Sequence, residues 1–392
     1  MKKIVVLFKA DLDNRKGLTN AVLERIAHLQ TILPHNYEIV PICISEYNGW
    51  LARKLRHKAL KAKLASVTIN DIEIRIFWEK FSILNYIMTN RLKQGPIFKY
   101  RNSKLKTILS NCDLISAHSF ESGLIAQDIA KRTQIPFCIT WHGSDIHSLP
   151  KESKYYLKQT KELLSNAKCN FFVSKALMNS ASKYCSDCQN TILYNGANEL
   201  FYKYDDSKRL ELREKYHISP QCKLVAFVGN LVNVKNADLL PDIFIKIKQN
   251  YIGKVKFWII GDGKLRTAIE NKIAEYGIQS DVMLMGNMPF DIIPELMNTI
   301  DLLVLPSRNE GLPLVTVEAL RSGAMVIGSN VGGIAEAIGN ENVVDLEDDF
   351  IECFSRKCID ALNGKYIAQL NEELNWNKTA KKEIDIYKSI IN

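Results

Sequence analysis

Apolar residues along the chain fall into two patterns. Short runs of three to seven, rich in Val, Ile, Leu and Phe, alternate with longer stretches whose apolar positions recur at helical spacing. The first half offers runs at Ile4–Phe8, Ile39–Cys43, Ile72–Phe77, Leu114–His118, Phe137–Trp141, Phe171–Ser174 and Thr191–Leu193. The second offers Leu224–Gly229, Val255–Gly261, Val282–Met285, Leu302–Leu305, Val326–Ser329 and Val343–Asp345. Many of these runs are apolar on both faces, as strands buried within a parallel sheet should be. Helical patterns such as Ser153–Asn166 and Lys264–Tyr276 lie between them. Strand–helix–strand repetition predicts α/β doubly wound domains, and two such sets predict two Rossmann-like domains. The polar stretch Asn195–Ser207 is the expected link.

A length of 392 residues suits two domains. With 46% hydrophobic and 24% charged residues, the composition is that of an ordinary folded protein. No run approaches the ~18 apolar residues of a bilayer span. Met1–Lys3 followed by Ile4–Phe8 mimics a signal peptide, but the apolar core is too short and runs into Lys9 and Asp11. It reads as a first strand, with a cytoplasmic location expected. Nine scattered cysteines form no disulfide framework. The lone Cys185-x-x-Cys188 has no second pair to complete a zinc site and is expected reduced.

Charge changes the picture. The net charge is +9, yet residues 1–195 carry +14 and residues 196–392 carry −5. Between Trp50 and Lys106 there are 14 basic and three acidic residues. Such asymmetry points to an anionic partner for the first domain. Arg53, Lys54, Arg56, Lys58, Lys61 and Lys63 fall on one helical pattern with Leu51, Leu55, Ala59 and Ala62. Phe77, Trp78, Phe81, Ile83, Leu84, Tyr86 and Ile87 follow, beside more cations. Basic and aromatic residues together suit an anionic membrane surface, expected through residues 50–106. A solvated helix over ordinary core is the plainer alternative. No specific nucleic-acid motif is visible.

Neither half has a GxGxxG after its first strand, and no GxxxxGK[ST] occurs, so neither a dinucleotide cofactor nor a P-loop is supported. Asp11-Leu12-Asp13 has the form of a metal-binding DxD, but such pairs are common in polar loops, and no metal is expected.

The densest chemistry lies in residues 301–333. A buried strand ends at Pro306, a polar loop follows, and a helix runs from Pro313 to about Arg321, with Gly323 ending it. Glu310 then stands in the loop and Glu318 on the second helical turn. The amides of Gly311, Leu314 and Val315 lie near the helix N-terminus, an anion-binding position at the C-terminal edge of a parallel sheet. Two carboxylates flanking a phosphate pocket would contact hydroxyls, and a nucleotide sugar has hydroxyls on both sides of a diphosphate.

Glu310 and Glu318, with seven residues between them, resemble the E-x7-E motif of the retaining GT-B glycosyltransferases called family 4. Other segments agree in order. Trp141-His142-Gly143-Ser144-Asp145 is similar to the family's HGSD loop, and Asn195-Gly196-Ala197-Asn198 with Phe201 to its linker. Val228-Gly229-Asn230 with Lys235 resembles the segment opening the second domain, and Gly261-Asp262-Gly263 its GDG turn. Asn330-Val331-Gly332-Gly333 with Glu336 and the Trp376 helix complete the likeness from Ile115 onward.

The resemblance implies the GT-B fold: an α/β architecture of two Rossmann-like domains with parallel sheets facing across a cleft. Residues 1–200 with 374–392 would form the acceptor domain and 201–373 the donor domain. It implies a retaining, metal-independent hexosyltransferase that moves a sugar from a nucleotide-diphosphate sugar, UDP before GDP. The acceptor would be a saccharide, as a lipid-linked intermediate of surface polysaccharide, at the inner face of a bacterial plasma membrane. Cofactors would be none. Lys235 would neutralise the diphosphate. Glu310 would hold the donor sugar and Glu318 the ribose. His142 would donate a hydrogen bond toward the sugar, with His118 and Asp145 on the acceptor side. Gly17 would let backbone approach the donor phosphate. Asn230 stands where the family often has Arg, so either Arg266, Arg308 or another cation would substitute, or the diphosphate would lean on Lys235 and the helix N-terminus. The departing phosphate would take the acceptor proton, so no protein base is needed. The competing readings are a non-catalytic sugar-binding relative and a basic nucleic-acid-binding protein.

Overall fold

The computed structural model describes residues 1–12, 17–47, 64–80, 82–96, 102–366 and 370–392. The basic pattern at 51–63, Asp13 and the cations Lys99 and Arg101 lie outside them. The chain divides into two compact units, Met1–Asn195 with Asn375–Asn392, and Gly196–Leu374.

The first unit is built on eight strands: β1 (Lys2–Lys9), β2 (Tyr37–Tyr47), β3 (Ser66–Ile69), β4 (Ile72–Lys80), β5 (Leu114–His118), β6 (Phe137–Trp141), β7 (Cys169–Phe172) and β8 (Asn190–Ile192). Their order across the sheet is β3-β4-β2-β1-β5-β6-β7-β8. All neighbours are parallel except β3 and β4. Every residue of β5 and β6 is buried, including the polar Ser116, His118 and Thr140. Strand β3 was not expected and makes the sheet mixed. Ile69 pairs with Ile72 across a two-residue turn, Asn70-Asp71, both at positive φ (49° and 60°). That is the type I′ geometry favoured in hairpins.

The second unit has six parallel strands: β9 (Lys223–Val228), β10 (Val255–Ile260), β11 (Val282–Gly286), β12 (Leu302–Leu305), β13 (Met325–Ser329) and β14 (Val343–Val344). Their order, β11-β10-β9-β12-β13-β14, is the doubly wound 3-2-1-4-5-6 arrangement. Strand order reverses between β9 and β12, and these two strands pair only through Leu302–Val225 and Leu303–Ala226. Their C-terminal ends therefore part, and a crevice opens at the edge where such folds bind ligands.

Helix Trp376–Ile391 returns to the first unit. Ala380, Ile384 and Tyr387 enter the core formed by Val22, Ile26, Leu29, Phe8 and Phe171. Trp376, 3% exposed, has its ring 6.2 Å from that of His28. Cys185 and Cys188, expected reduced, are bonded to each other, with Cα atoms 5.8 Å apart. The seven other cysteines are free.

Candidate active site

In the second unit the predicted residues gather at the β9/β12 crevice. Chain leaving β12 passes Pro306, Ser307 and Arg308 to Glu310, and helix Leu314–Arg321 follows with Pro313 as its N-cap. Gly323, at φ +87°, lies just past its end. Lys235 sits on the short 3₁₀ turn Asn233–Lys235, beyond β9. Its Nζ is 2.5 Å from Glu310 Oε1, and the two side chains are 23% and 9% exposed. Ser307 Oγ donates to the same oxygen at 2.7 Å. Ser307 is fully buried, and its carbonyl accepts from the hydroxyl of Ser329 at the end of β13.

Asn236 ties the two loops together. It takes the left-handed conformation (φ 49°), donates to Pro306 O at 2.8 Å, and accepts from Arg308 Nε. The Arg308 amide donates to Val234 O at 2.9 Å. Thus Lys235 and Glu310, 75 residues apart, are held by backbone and side-chain bonds independent of their own contact.

The glycine segment behind Glu310 has a steric purpose. Gly332 has φ +55°, and a Cβ there would lie 1.9 Å from the Glu310 carbonyl oxygen. Gly333 donates its amide to Gly311 O at 2.9 Å. A side chain at 332 would push the Glu310 loop away. A similar close approach occurs at the ends of β9 and β10. A Cβ on Gly261 would meet Gly229 O at 2.0 Å, and Leu231 N–H donates to Asp262 O at 3.0 Å.

Gly311 is buried, while Leu314, Val315 and Glu318 are half-buried. The first amides of a helix have no intrahelical acceptor, and those of Leu314 and Val315 open this one, following Glu310 closely in the chain. Asn230 is exposed. Of the proposed replacement cations, Arg266 pairs with Glu270 at 2.8 Å and Arg308 is held by Asn236.

In the first unit, His118 ends β5 and His142 follows β6. His118 Nδ1 and His142 Nε2 are 3.3 Å apart. Asp145 is buried, and its carboxylate accepts from the amides of Gly143 (2.9 Å) and His142 (3.1 and 3.2 Å). Burial pushes the Asp145 carboxyl up to about 6. His118 is 1% exposed. Asp145 thus bonds the backbone of the His142 loop, and His118 contacts the His142 ring. Burial first, and the Arg25 charge second, push His142 down to about 3; the same causes hold His118 well below the usual range. Gly17 opens helix Gly17–Ile32, and a Cβ there would meet nothing within 4 Å.

Sequence reasoning missed Arg25 and Glu383. Both are buried, with Arg25 Nε 3.5 Å from Glu383 Oε2. Arg25 also donates to Thr140 Oγ1 (3.0 Å) and Leu193 O (3.2 Å). Tyr387 donates to Glu383 and lies 2.7 Å from Ser116 Oγ. Adjacent carbonyls at the exit from this unit are also taken: Ile192 O by Lys382 (3.1 Å) and Tyr194 O by Thr379 (2.6 Å). Only the i,i+4 spacing of Glu383 and Tyr387 was available in the sequence. Ser307, three residues before Glu310, was likewise missed.

Residues 208–383 match the family model described as glycosyl transferases group 1. That match covers most of the second unit and reaches into the helix that returns to the first. The chain is 28% identical over 291 residues to an uncharacterized glycosyltransferase of Methanocaldococcus jannaschii, covering 71% of this chain and 76% of that protein. It is also 28% identical to a putative teichuronic acid biosynthesis glycosyltransferase of Bacillus subtilis, TuaC, over 58% of this chain and 55% of that one. Among solved structures it resembles Anabaena HepE in complex with UDP and glucose, with a TM-score of 0.66 and 18% identity, over 98% of this chain and 96% of that chain. That likeness establishes the two-domain GT-B fold.

Proposed function

We propose that this protein is a retaining glycosyltransferase that moves a sugar from a nucleotide-diphosphate sugar, UDP before GDP, to a saccharide acceptor. The observation that carries the reading is the Lys235–Glu310 pair, 2.5 Å apart at the switch point of the second sheet, beside a helix N-terminus. A diphosphate entering there offers Lys235 a dianionic partner, and Lys235 then leaves Glu310. The freed carboxylate accepts from donor-sugar hydroxyls, while Ser307 keeps it oriented. Glu318 reaches the ribose. As the bond to the sugar breaks, charge builds on the leaving phosphate, and the Lys235 ammonium with the Leu314 and Val315 amides stabilises it. That phosphate oxygen takes the acceptor's proton, so catalysis needs neither a protein base nor a metal or other cofactor. The UDP and glucose of HepE support a UDP-sugar donor for this fold.

The acceptor is assigned to the first unit. A groove of about 940 Å³ at the C-terminal ends of its strands is lined by Lys9, Glu46, Glu79, Tyr86, Tyr155 and Tyr156, among others. Carboxylates beside aromatic faces suit a saccharide. Near it, Ile83, Leu84, Ile87 and Leu92 are exposed next to Arg91 and Lys93. These residues favour an acceptor carried on a lipid at an anionic membrane face. No helix among the described residues is long and apolar enough to cross a membrane. The TuaC likeness supports a surface-polysaccharide acceptor.

The test is thermal stabilisation by UDP, GDP, ADP and their sugars, without added metal. Selective stabilisation by UDP compounds that disappears in Lys235→Ala is expected. No shift with any nucleotide would overturn the donor assignment. Flotation with anionic vesicles tests the membrane reading; absence of binding at low salt would end it.

A further inference from the structure

The two histidines of the first unit pose a hydrogen-bond question with a limited set of answers. His118 Nδ1 faces His142 Nε2 at 3.3 Å. One nitrogen must carry the proton and the other the lone pair. The opposite nitrogen of His118, Nε2, is buried and has no hydrogen-bond partner. If His142 donated, His118 would carry its own proton on Nε2, as a buried N–H with no acceptor. If His118 donates, Nε2 is a bare lone pair. An orphaned buried donor is the rarer and costlier state. The geometry therefore selects His118 Nδ1–H as donor to His142 Nε2, which leaves the proton of His142 on Nδ1.

Two features hold His118 in that position. Ser119, next in the chain, has φ 81° and ψ 168°, a region otherwise used almost only by glycine. Its amide donates to Thr140 O at 3.0 Å, and Thr140 pairs with His118 across β5 and β6. Strain of this kind persists only where the surroundings over-determine it. Behind the pair stands Arg25, whose guanidinium is bonded to Thr140 Oγ1. Its positive charge opposes protonation of either ring, as does burial. The remaining charged or titratable groups nearby are accounted for. Glu383 pairs with Arg25 and bonds Tyr387; Asp145 faces the amides of His142 and Gly143; Glu121 acts on Asp145 and accepts from Ser119 Oγ at 3.4 Å.

We propose that His118 is a positioning residue that fixes His142 as a neutral imidazole with its proton on Nδ1, so that His142 offers a hydrogen-bond donor and not a proton-transfer group. The use of that donor toward a sugar rests on the proposed transferase reading; the tautomer itself does not.

The experiment is a two-bond ¹H–¹⁵N correlation spectrum of the full ¹⁵N-labelled chain, with His118→Gln and His142→Gln supplying the assignments. Both rings should show the Nδ1–H tautomer, and neither should titrate between pH 8 and 5. An Nε2–H tautomer for His142, or an imidazolium signal for it in that range, would overturn the proposal. A second variant, His118→Leu, removes the donor. It should give His142 a mixture of tautomers, whereas His118→Gln, whose amide can still donate, should keep His142 on Nδ1–H. An unchanged His142 in His118→Leu would overturn the role of His118. Because these signals are read without substrate, failure of the transferase reading would leave them unaffected. If that reading holds as well, His118→Leu should lower kcat at least tenfold with little change in donor KM, and His118→Gln should recover part of it.

Discussion

Lys235 and Glu310 bind each other, 2.5 Å apart, although each is proposed to contact a different part of the donor. The pair has a consequence for mutagenesis. Removing Lys235 deletes the cation that would meet the diphosphate and leaves Glu310, 9% exposed, with Ser307. A charge-assisted hydrogen bond contributes about 1.5–3 kcal/mol, so Lys235→Ala should weaken UDP binding by about 10- to 100-fold. Glu310→Gln should act differently. It keeps a partner for Ser307 and releases Lys235, so UDP should bind as well as before or better, while transfer from UDP-sugar is lost. Calorimetric titration with UDP beside an assay of transfer separates the two. Normal turnover in Glu310→Gln would refute its role.

Gly332 offers a test at a distance from the donor. A Cβ there would stand 1.9 Å from the Glu310 carbonyl oxygen, and its φ of +55° disfavours any other residue. Gly277 is the control, with φ +65° and nothing within 4 Å of its Cβ. Gly277→Ala should cost only the backbone strain, about 1 kcal/mol. Gly332→Ala should cost more, about 2–4 kcal/mol, and should also displace Glu310 and lose transfer. Chemical denaturation of both variants gives the comparison, and equal losses would refute the steric account.

The sequence made the site's position legible for a simple reason. Buried parallel strands are short, mainly apolar runs, so β5, β6 and β12 could be bounded to the residue, and the loops that follow β6 and β12 carry His142 and Glu310. What it hid depends on contacts between distant segments. The pairing of Lys235 with Glu310 spans 75 residues, and that of Arg25 with Glu383 spans most of the chain. Nothing in local periodicity marks a buried charge whose partner lies on another element. Strand β3 was missed for a different reason. Its four residues, Ser66–Ile69, are too short to show alternation, and the Asn70-Asp71 turn signal carried the information.

The histidine pair should make the first unit acid-sensitive. His142 is pushed from its ordinary 6.5 down to about 3, and His118 is also lowered, in both by burial ahead of Arg25. A folded value below the unfolded one gives stability that is present above 6.5 and lost as pH falls toward 3. Asp145 has the opposite sign. Raised by burial from 3.8 to about 6, it contributes stability below 3.8 that is lost as pH rises through 6. Between pH 6 and 4 it therefore offsets part of the histidine effect. Melting temperature should fall as pH is lowered from 7 to 5, and should fall less in the His118→Gln/His142→Gln double variant. Parallel curves for the two proteins would show that neither ring is held neutral by the fold.

Arg25 and Glu383 separate the stability of a buried ion pair from its specificity. Both side chains are almost wholly buried, and burial raises the Glu383 carboxyl against the pull of Arg25. Arg25→Ala would leave that carboxylate with only Tyr387, and would orphan Thr140 Oγ1 and Leu193 O. Breaking one side of such a pair costs about 3–5 kcal/mol. Removing both charges in Arg25→Met/Glu383→Met discards the desolvation cost along with the attraction, so the double variant should lie within about 2 kcal/mol of the parent protein, on either side. Urea denaturation at pH 7 reads all three. The double variant should nevertheless let His142 titrate closer to its ordinary range, since the charge beside Thr140 is gone while the hydrophobic packing is kept. A double variant as unstable as Arg25→Ala would mean that the hydrogen bonds to Thr140 and Leu193, and not the charge pair, hold helix Gly17–Ile32 to the edge of the sheet.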